Sequence, residues 1–242
     1  MRLERPPAEL KLIRHGQSIR NVALFGMVHY ATEEQRAVLK GTPDQLVALT
    51  DEGLRQAKET GLVLAQREVR EPHVIIHSGY RRTQQTAEHI LAAYPEKVRE
   101  GIRFEMCDLV RERMPGFDYE MTEAEYRAAF PYHSDYWKTW GGFLGRPPGG
   151  ESIADVAIRV RLFLETVLPK YSGQTVYVVT HGGTMRAFRF LLEDWSYEDA
   201  RSWRVKSDGP PSNCGISTYN WTADGKIYRQ THDEVLWKPN GA

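Results

Sequence analysis

The sequence predicts an α/β protein with a mainly parallel sheet and helices on both faces. Short apolar, β-branched runs, of which TVYVVT at 175–180 is the clearest, alternate along the chain with longer amphipathic stretches. Strands that alternate with helices usually pair in parallel and are buried on both sides. A length of 242 residues is sufficient for a sizeable core. We therefore expect a single domain over 1–242 that carries an inserted helical or irregular cap or lid.

Strands and helices are predicted in alternation through the first half of the chain. The apolar stretch Leu10 to Ile13 predicts a short buried strand, which Gly16 ends. LTDEGLRQAKETGLVLAQR then predicts a helix, with Thr50 as its N-cap and apolar residues at helical spacing. HVIIHS at 73–78 predicts a second strand, RTQQTAEHILAAY a second helix, and IRFEMCDLV a third strand.

The second half continues the same alternation and ends in a hairpin. GGESIADVAIRVRLFLETVL at 149–168 predicts a strong amphipathic helix, TVYVVT the fourth strand, and MRAFRFLLEDW another helix. The tail GISTYNWTADGKIYRQ predicts a terminal hairpin around Ala-Asp-Gly. Two stretches remain irregular, at about 22–49 and 114–150. Both are long for loops of a compact domain, so we predict that they are lid-like insertions.

Charge and cysteine content exclude several classes of protein. Lys+Arg and Asp+Glu both number 32, so no net field attracts nucleic acid or a membrane surface, and any anion site must be a local cluster. The two cysteines, Cys107 and Cys214, form neither a disulfide framework nor a metal-binding spacing. The chain shows no apolar signal segment and no membrane-spanning run. We expect a cytoplasmic protein with reduced thiols, and the sequence leaves its oligomeric state open.

Two His-Gly segments follow strands and precede helices. LIRHGQSIRN at 12–21 and TVYVVTHGGT at 175–184 have this arrangement. The carboxyl ends of parallel strands share one edge of a sheet, where α/β proteins usually hold ligands, so Arg14, His15 and His181 should converge there. Helices that start close to each His-Gly pair would add unpaired backbone N–H groups. Cations, imidazoles and such N–H groups together suit a phosphoryl dianion, and a neutral histidine is a nucleophile near neutral pH.

Non-catalytic roles are also compatible with these histidines. A single histidine that ends a strand is more often a hydrogen-bonded turn residue than a catalyst. Two sites in matching contexts favour function. His73 and His77 lie four apart in a strand and share a face, which permits a metal pair, but no third ligand stands at a recognisable spacing. No metal site is therefore predicted.

Six segments of the chain, in the right order over about residues 10–190, resemble the histidine phosphatase superfamily, the phosphoglycerate-mutase-like proteins. They are LIRHGQSIRN, LTDEGLRQA, SGYRRTQQTA, VRERMPG, PPGGESIADVAIRV and VVTHGG. The register of SGYRRTQQTA selects Arg82 rather than Arg81 as the second phosphate-binding arginine. Gln17 departs from the glutamate that is commoner after His-Gly in this family.

The resemblance implies a role for each matching residue. It implies that His15 is the nucleophile that becomes phosphohistidine and that Glu112 donates a proton to the leaving oxygen. It implies that the phosphoryl group is held by Arg14, Arg82 and His181. The substrate-binding positions that it adds are Asn21, Gln17 and Gly182. It implies a small-molecule phosphate monoester as substrate, with no metal and no cofactor.

The family contains mutases and phosphatases, and this chain departs from the mutases in two places. It has ERMPGFDYE where mutases usually have an ERHYGxLQG-like stretch, and HGGT where they have HGNS. GTPDQLVALTDEGLRQA and PSNCGISTY are more similar to a branch of broad-specificity acid phosphatases. We therefore expect a phosphatase. A phosphoglycerate mutase-type enzyme is the weaker alternative, and a non-catalytic phospho-ligand binder is disfavoured because every named catalytic position is filled.

Overall fold

A six-stranded sheet, with strand order β3-β2-β4-β1-β5-β6, forms the centre of the molecule. A computed structural model of the chain describes residues 3–67, 70–201, 209–222 and 224–238. The strands are β1 (Glu9–Arg14), β2 (Val74–His77), β3 (Arg103–Met106), β4 (Thr175–Thr180), β5 (Ile216–Trp221) and β6 (Ile227–Glu234). The first four in chain order pair in parallel, while β5 runs antiparallel to β1 and β6 antiparallel to β5. The mainly parallel sheet of the prediction is confirmed.

Ten α-helices are present in the described ranges, and several short 3₁₀ turns connect them. They are α1 (Ile19–Leu24), α2 (Glu33–Ala37), α3 (Asp51–Arg67), α4 (Arg81–Ala92), α5 (Glu96–Arg99), α6 (Glu123–Ala129), α7 (His133–Leu144), α8 (Ile153–Leu162), α9 (Gly182–Leu192) and α10 (Tyr197–Arg201). None of these helices is long and apolar enough to cross a bilayer.

Helices cover both faces of the sheet, and β4 shows why. All six of its residues are buried, and successive side chains of a strand point to opposite faces. Val176 and Val178 pack into a core that includes α8 and α9 residues, whereas Tyr177 and Val179 pack into a second core with α3 and α4 residues. A strand buried on both sides needs a continuous apolar run rather than an alternating one. This requirement explains TVYVVT.

The parallel register brings the ends of β1 and β4 side by side. Arg14 pairs with Thr180 at the end of the ladder, and the backbone N–H of His15 donates to the Thr180 carbonyl at 2.9 Å. The next residue after β4 is His181. The two His-Gly segments therefore leave the sheet at the same edge, as the alternation of strands and helices predicts.

Most predicted elements are found, with differences at their ends. Thr50 caps α3 by accepting a hydrogen bond from the Gly53 N–H at 3.0 Å. The helix predicted over 149–168 begins at Ile153, ends at Leu162 and continues as a π-helical turn over Phe163–Val167. The third strand is shorter than predicted, since Asp108–Val110 forms a 3₁₀ turn. The C-terminal hairpin is present as β5 and β6, with the alanine of its Ala-Asp-Gly turn outside the described residues.

The stretches 22–49 and 114–150 are partly helical, because they contain α2 in the first and α6 and α7 in the second. They contact each other through the backbone, where the Glu123 N–H donates to the Tyr30 carbonyl at 2.9 Å. Tyr30 is 1% exposed and belongs to a small core within the first stretch. Phe143 of the second stretch packs instead into the main core, against Phe190. That these stretches act as a lid stays a prediction.

His29, in the first of these stretches, forms ion pairs with two carboxylates of the second. Its Nε2 lies 3.0 Å from Asp118 Oδ2 and its Nδ1 lies 3.0 Å from Glu123 Oε2, and the ring stacks on Tyr126. Since a carboxylate only accepts hydrogen bonds, both ring nitrogens must donate, which requires the imidazolium. Burial lowers the pKa of His29, but the hydrogen bonds and charges of Asp118 and Glu123 outweigh burial and raise it above its ordinary value.

Replacing His29 with glutamine should therefore destabilise the fold most at low pH. The folded-state pKa of His29 lies above its unfolded value, so its contribution is full below the unfolded pKa and is lost as pH rises through the folded pKa. We expect a loss of about 1.5–3 kcal/mol at pH 5.5 that shrinks by pH 9. Urea denaturation of the wild-type protein and of His29→Gln, repeated across this pH range, measures the difference in their free energies of unfolding. His89→Gln, at a half-buried position of α4, is the control, and a pH-independent loss at His29 would contradict the prediction.

Candidate active site

Four side chains with catalytic potential meet at the edge where β1, β4 and β2 end. His15 follows β1, His181 follows β4, and the centroids of the two rings lie 5.2 Å apart in an edge-to-face arrangement. Arg14 ends β1, and Arg82 lies in the first turn of α4, three residues after the Ser78–Gly79 turn that follows β2. The structure thus brings the predicted phosphoryl-binding groups together.

His15 is held in the tautomer that leaves Nε2 available. Its Nδ1 lies 2.7 Å from the Gly16 carbonyl oxygen, and a carbonyl can only accept, so Nδ1 carries the proton and Nε2 the lone pair. Burial, followed by the charges of Arg82 and Arg14, lowers the pKa of His15 well below its ordinary value. His15 is therefore a neutral imidazole at physiological pH, with a nucleophilic nitrogen.

The loop after His15 is fixed by its own backbone. The N–H groups of residues 16–19 are all engaged, which contradicts the expectation that a helix near Gly16 presents unpaired N–H groups to a ligand. Helix α1 begins three residues later and is closed by a capping box between Ser18 and Asn21. The acceptors for residues 16–19 are Thr86 Oγ1 at 3.0 Å, Gln56 Oε1 at 2.9 Å, Asn21 Oδ1 at 3.0 Å and the Ala48 carbonyl at 3.0 Å.

Helix α3 packs directly on this loop. A Cβ built on Gly53 would lie 2.0 Å from the Gln17 carbonyl oxygen, so only glycine fits at this position. The same carbonyl accepts from the Thr50 N–H at 2.9 Å, and Gln17 Oε1 accepts from the Thr50 hydroxyl at 2.9 Å. Gln17 therefore anchors α3 to the loop. Its predicted contact with substrate stays a prediction.

The two arginines differ in how their charges are compensated. Arg14 is half-buried, and the removal of its guanidinium from water lowers its pKa even though the charges of Glu112 and Asp233 oppose the effect. It donates to the Pro211 carbonyl at 2.5 Å, but its Nε has no partner and no carboxylate pairs with it among the described residues. Arg82 is paired with both carboxylate oxygens of Asp44, each at 3.1 Å. A cation such as Arg14, which is largely removed from water and has no paired carboxylate among the described residues, favours a bound anion.

A hydrogen-bond chain orients His181. The hydroxyl of Thr83 donates to the Tyr80 carbonyl at 2.8 Å, so Ser78 Oγ must donate to Thr83 Oγ1 and accept from His181 Nε2, each at 2.8 Å. The proton of the neutral ring is thus on Nε2. The other nitrogen, Nδ1, is buried without a partner among the described residues and faces Glu112 Oε2 at 3.9 Å. Burial, then the charges of Arg82, His15 and Arg14, lowers the pKa of His181 well below its ordinary value.

Glu112 lies against the beginning of α9. Its Oε1 accepts from the Arg113 N–H at 2.8 Å, and a Cβ built on Gly183 would lie 2.7 Å from this oxygen, so any larger residue there would displace the carboxylate. Burial is the main cause that raises the pKa of Glu112, and Asp44 raises it further, while the Arg113 hydrogen bond and the Arg82 charge lower it. A carboxyl group with a raised pKa suits proton donation.

Gly182 begins α9, and no side chain caps this helix. Its first-turn N–H groups are therefore oriented as anion donors, as the sequence predicts for the second His-Gly pair. Asn21 uses its side-chain oxygen to accept from the Ser18 N–H and, at 3.3 Å, from Asn213 Nδ2. Asn213 also donates to the His15 carbonyl at 3.1 Å. The amide nitrogen of Asn21 is the group that could meet a phosphoryl oxygen.

Several residues that build the site carry no role in the sequence prediction. Asp44, Thr86 and Asn213 are among them, although they lie inside the quoted segments GTPDQLVALTDEGLRQA, SGYRRTQQTA and PSNCGISTY, respectively. Ser78, which orients His181, is the first residue of SGYRRTQQTA. Its place in that motif is the sequence signal that could have identified it as a site residue. His73 and His77 accept hydrogen bonds from the Thr175 and Gly79 N–H groups. No cluster of three potential metal ligands occurs in the described ranges.

Comparisons with known proteins agree with this geometry. Residues 10–234 match the sequence model of the histidine phosphatase superfamily (branch 1). The chain is 30% identical over 228 residues to a 2,3-bisphosphoglycerate-dependent phosphoglycerate mutase from Rhizobium etli, covering 92% of this chain and 95% of the relative. It is 30% identical over 208 residues to the phosphoglycerate mutase-like protein AT74 of Arabidopsis thaliana, covering 79% of this chain and 60% of that longer protein.

Solved structures share the fold. YhfR from Bacillus stearothermophilus superimposes with a TM-score of 0.72 at 21% identity, covering 95% of this chain and 98% of that one. A mycobacterial glucosyl-3-phosphoglycerate phosphatase in complex with inorganic phosphate superimposes with a TM-score of 0.67 at 22% identity. The superposition covers 96% of this chain and 100% of that one. Together with the family match over residues 10–234, these relationships assign the chain to the histidine phosphatase superfamily, branch 1.

Proposed function

We propose that this protein is a metal-independent phosphatase that hydrolyses phosphate monoesters through a phosphohistidine at His15. The observation that carries the proposal is the neutral His15, whose available Nε2 stands beside the uncompensated charge of Arg14 and the buried, unpartnered Nδ1 of His181. A nucleophile next to anion-binding groups suits attack on a bound phosphoryl group. An enzyme of this superfamily that lacks the mutase-type segments is expected to pass the phosphoryl group to water.

The proposed reaction has two steps, and Glu112 transfers a proton in each of them. Arg14 and Arg82 hold the phosphoryl oxygens, and His181, whose Nδ1 carries a lone pair in the absence of substrate, takes up a proton as the dianion binds and donates a hydrogen bond to one of these oxygens. His15 Nε2 then attacks phosphorus. The bond to the ester oxygen breaks, and that oxygen takes the proton of Glu112 as the alcohol leaves. Glu112, now ionised, removes a proton from water, and the resulting hydroxide attacks phosphorus. The P–N bond breaks, its electron pair returns to Nε2, and inorganic phosphate departs.

The mutase is the second candidate, because the Rhizobium etli relative is described as a phosphoglycerate mutase. A mutase must exclude water and hold a bisphosphate, which requires cations for a second anionic group. The ERMPGFDYE segment, where part of such a site would lie, differs from the mutase pattern. GTPDQLVALTDEGLRQA and PSNCGISTY support the acid phosphatase branch instead. These differences favour hydrolysis over transfer.

We expect steady release of inorganic phosphate from simple monoesters, without a bisphosphate primer and with excess chelator present. The positive charges of Arg14 and Arg82 and the N-terminus of α9 together compensate the phosphoryl charge, so no metal is required. Conversion of 3-phosphoglycerate to 2-phosphoglycerate should be slow or absent, with or without primer. Phosphate release and isomerisation are measured in parallel on the same preparation. Primed isomerisation that outran phosphate release by a large factor would establish the mutase instead.

A further inference from the structure

A cleft of about 410 Å³ opens next to Arg82 and the segment that follows Glu112. Its walls are formed by residues 41–44, 114–117, 119, 120 and 149. Asp44 belongs both to the cleft and to the phosphoryl site, because its carboxylate pairs with Arg82. Asp44 is also near enough to Glu112 to raise the pKa of that carboxyl group. The cleft therefore adjoins the phosphoryl site through Asp44.

The charged side chains that line this cleft are acidic. Asp44 and Glu120 line it, and none of the described residues that line it is lysine, arginine or histidine. Both carboxylates are fixed in place. Asp44 Oδ1 accepts from the Tyr119 hydroxyl at 3.3 Å in addition to its two bonds from Arg82, and Glu120 Oε1 accepts from the Gly41 N–H at 2.9 Å. The remaining lining side chains are uncharged, and Pro43, Met114, Pro115, Phe117 and Tyr119 are among them.

Two cations near the cleft, Arg20 and Arg111, already have partners. Arg20 donates to the Tyr30 hydroxyl at 2.8 Å and to the Tyr119 carbonyl at 3.0 Å, and its guanidinium lies 3.8 Å from the centre of the Tyr119 ring. Arg111 is bonded to Glu151 at 2.9 Å. When Arg82 binds the phosphoryl group, a second anion in the cleft would meet two carboxylates. Like charges a few ångströms apart repel strongly where water is partly excluded.

We propose that this cleft receives the leaving alcohol and that Asp44 makes it select uncharged or cationic alcohols over anionic ones. This inference rests on the proposed phosphatase reaction and specifies its substrate class. Asp44 then has two effects. It orients Arg82 for every substrate, and its charge rejects the substrates that carry a second negative group.

A matched pair of substrates tests the proposal. D-Glycerol 3-phosphate (sn-glycerol 1-phosphate) and D-3-phosphoglycerate have the same configuration at the central carbon and differ only at one terminal carbon, which is a hydroxymethyl group in the first and a carboxylate in the second. We expect the wild-type kcat/KM to favour glycerol 3-phosphate by about tenfold or more. In Asp44→Asn, which keeps the size of the side chain, this ratio should fall several-fold even if both rates drop. Asp135→Asn, an identical change of charge on the exposed surface of α7, should leave the ratio unchanged.

Two results would overturn the proposal while leaving the phosphatase reaction intact. The first is a wild-type preference for 3-phosphoglycerate, which would mean that a cation such as Arg113 serves the cleft, and which Arg113→Gln would then abolish. The second is an equal change for both substrates in Asp44→Asn, which would show that Asp44 only orients Arg82. Circular dichroism verifies that each variant is folded.

A different measurement tests the proposed phosphatase reaction itself. A wild-type protein that does not hydrolyse 4-nitrophenyl phosphate would overturn the proposed reaction. The selectivity would then be measured by calorimetric binding of the same two compounds to His15→Ala, with and without Asp44→Asn. Tighter binding of glycerol 3-phosphate that depends on Asp44 would uphold the selectivity of the cleft, and its absence would overturn it.

Discussion

Replacing His15 with alanine should reduce turnover of phosphate monoesters by about 10⁴–10⁶-fold, because the variant lacks the atom that attacks phosphorus. We do not expect His181 to substitute for it, since its Nε2 donates to Ser78, and its Nδ1 faces the carboxyl group of Glu112 at 3.9 Å. Rates on 4-nitrophenyl phosphate measure the loss. Rapid acid-free quenching of enzyme labelled with ³²P should yield acid-labile, base-stable phosphate on the wild-type protein and none on His15→Ala.

His89→Ala provides the matched control for this experiment. His89 lies on α4 with its Nδ1 beside the Gln85 carbonyl at 2.9 Å, away from the sheet edge where the site forms. It should retain both the rate and the phosphohistidine label. Label that persists on His15→Ala with the same acid lability would contradict the assignment of the nucleophile and would direct attention to His181.

The meeting of the two His-Gly segments was predictable from local sequence. Alternating strand and helix patterns imply parallel pairing, and parallel pairing brings the carboxyl ends of strands to one edge. The pairing of Arg14 with Thr180 fulfils this expectation for β1 and β4. The position of β4 between two strands also follows from its apolar run, because a strand buried on both faces has no room for alternating polar residues.

The pairings that complete the site were not predictable in this way. Asp44 and Arg82 are 38 residues apart, Ser78 and His181 are 103 apart, and neither spacing carries information about contact. The same limit explains why the expectation of unpaired backbone N–H groups at Gly16 is wrong. Its N–H is bonded to Thr86, 70 residues away, so a local motif that resembles an anion-binding turn does not show whether its donors are already used. Only the folded chain brings such distant partners together.

Replacing Glu112 with glutamine should lower turnover by about 10²–10⁴-fold for alkyl phosphates, whose leaving oxygen needs a proton. Burial raises the pKa of Glu112, so a larger fraction of the carboxyl is protonated near neutral pH than for an exposed glutamate. The wild-type rate on alkyl esters should therefore fall as pH rises through this raised pKa. The glutamine variant should lack that descending limb, because its amide does not titrate. Initial rates on glycerol 3-phosphate between pH 4 and 9 measure both effects.

The leaving group distinguishes a proton donor from a residue that only shapes the site. The nitrophenolate leaves without a proton, so Glu112→Gln should lose far less activity on 4-nitrophenyl phosphate than on glycerol 3-phosphate. Glu165→Gln, at an exposed position paired with Arg161, is the control and should change neither rate. Equal losses on both substrates would argue against proton donation. They would indicate instead that Glu112, packed against Gly183, acts by holding the N-terminus of α9 and His181 in place.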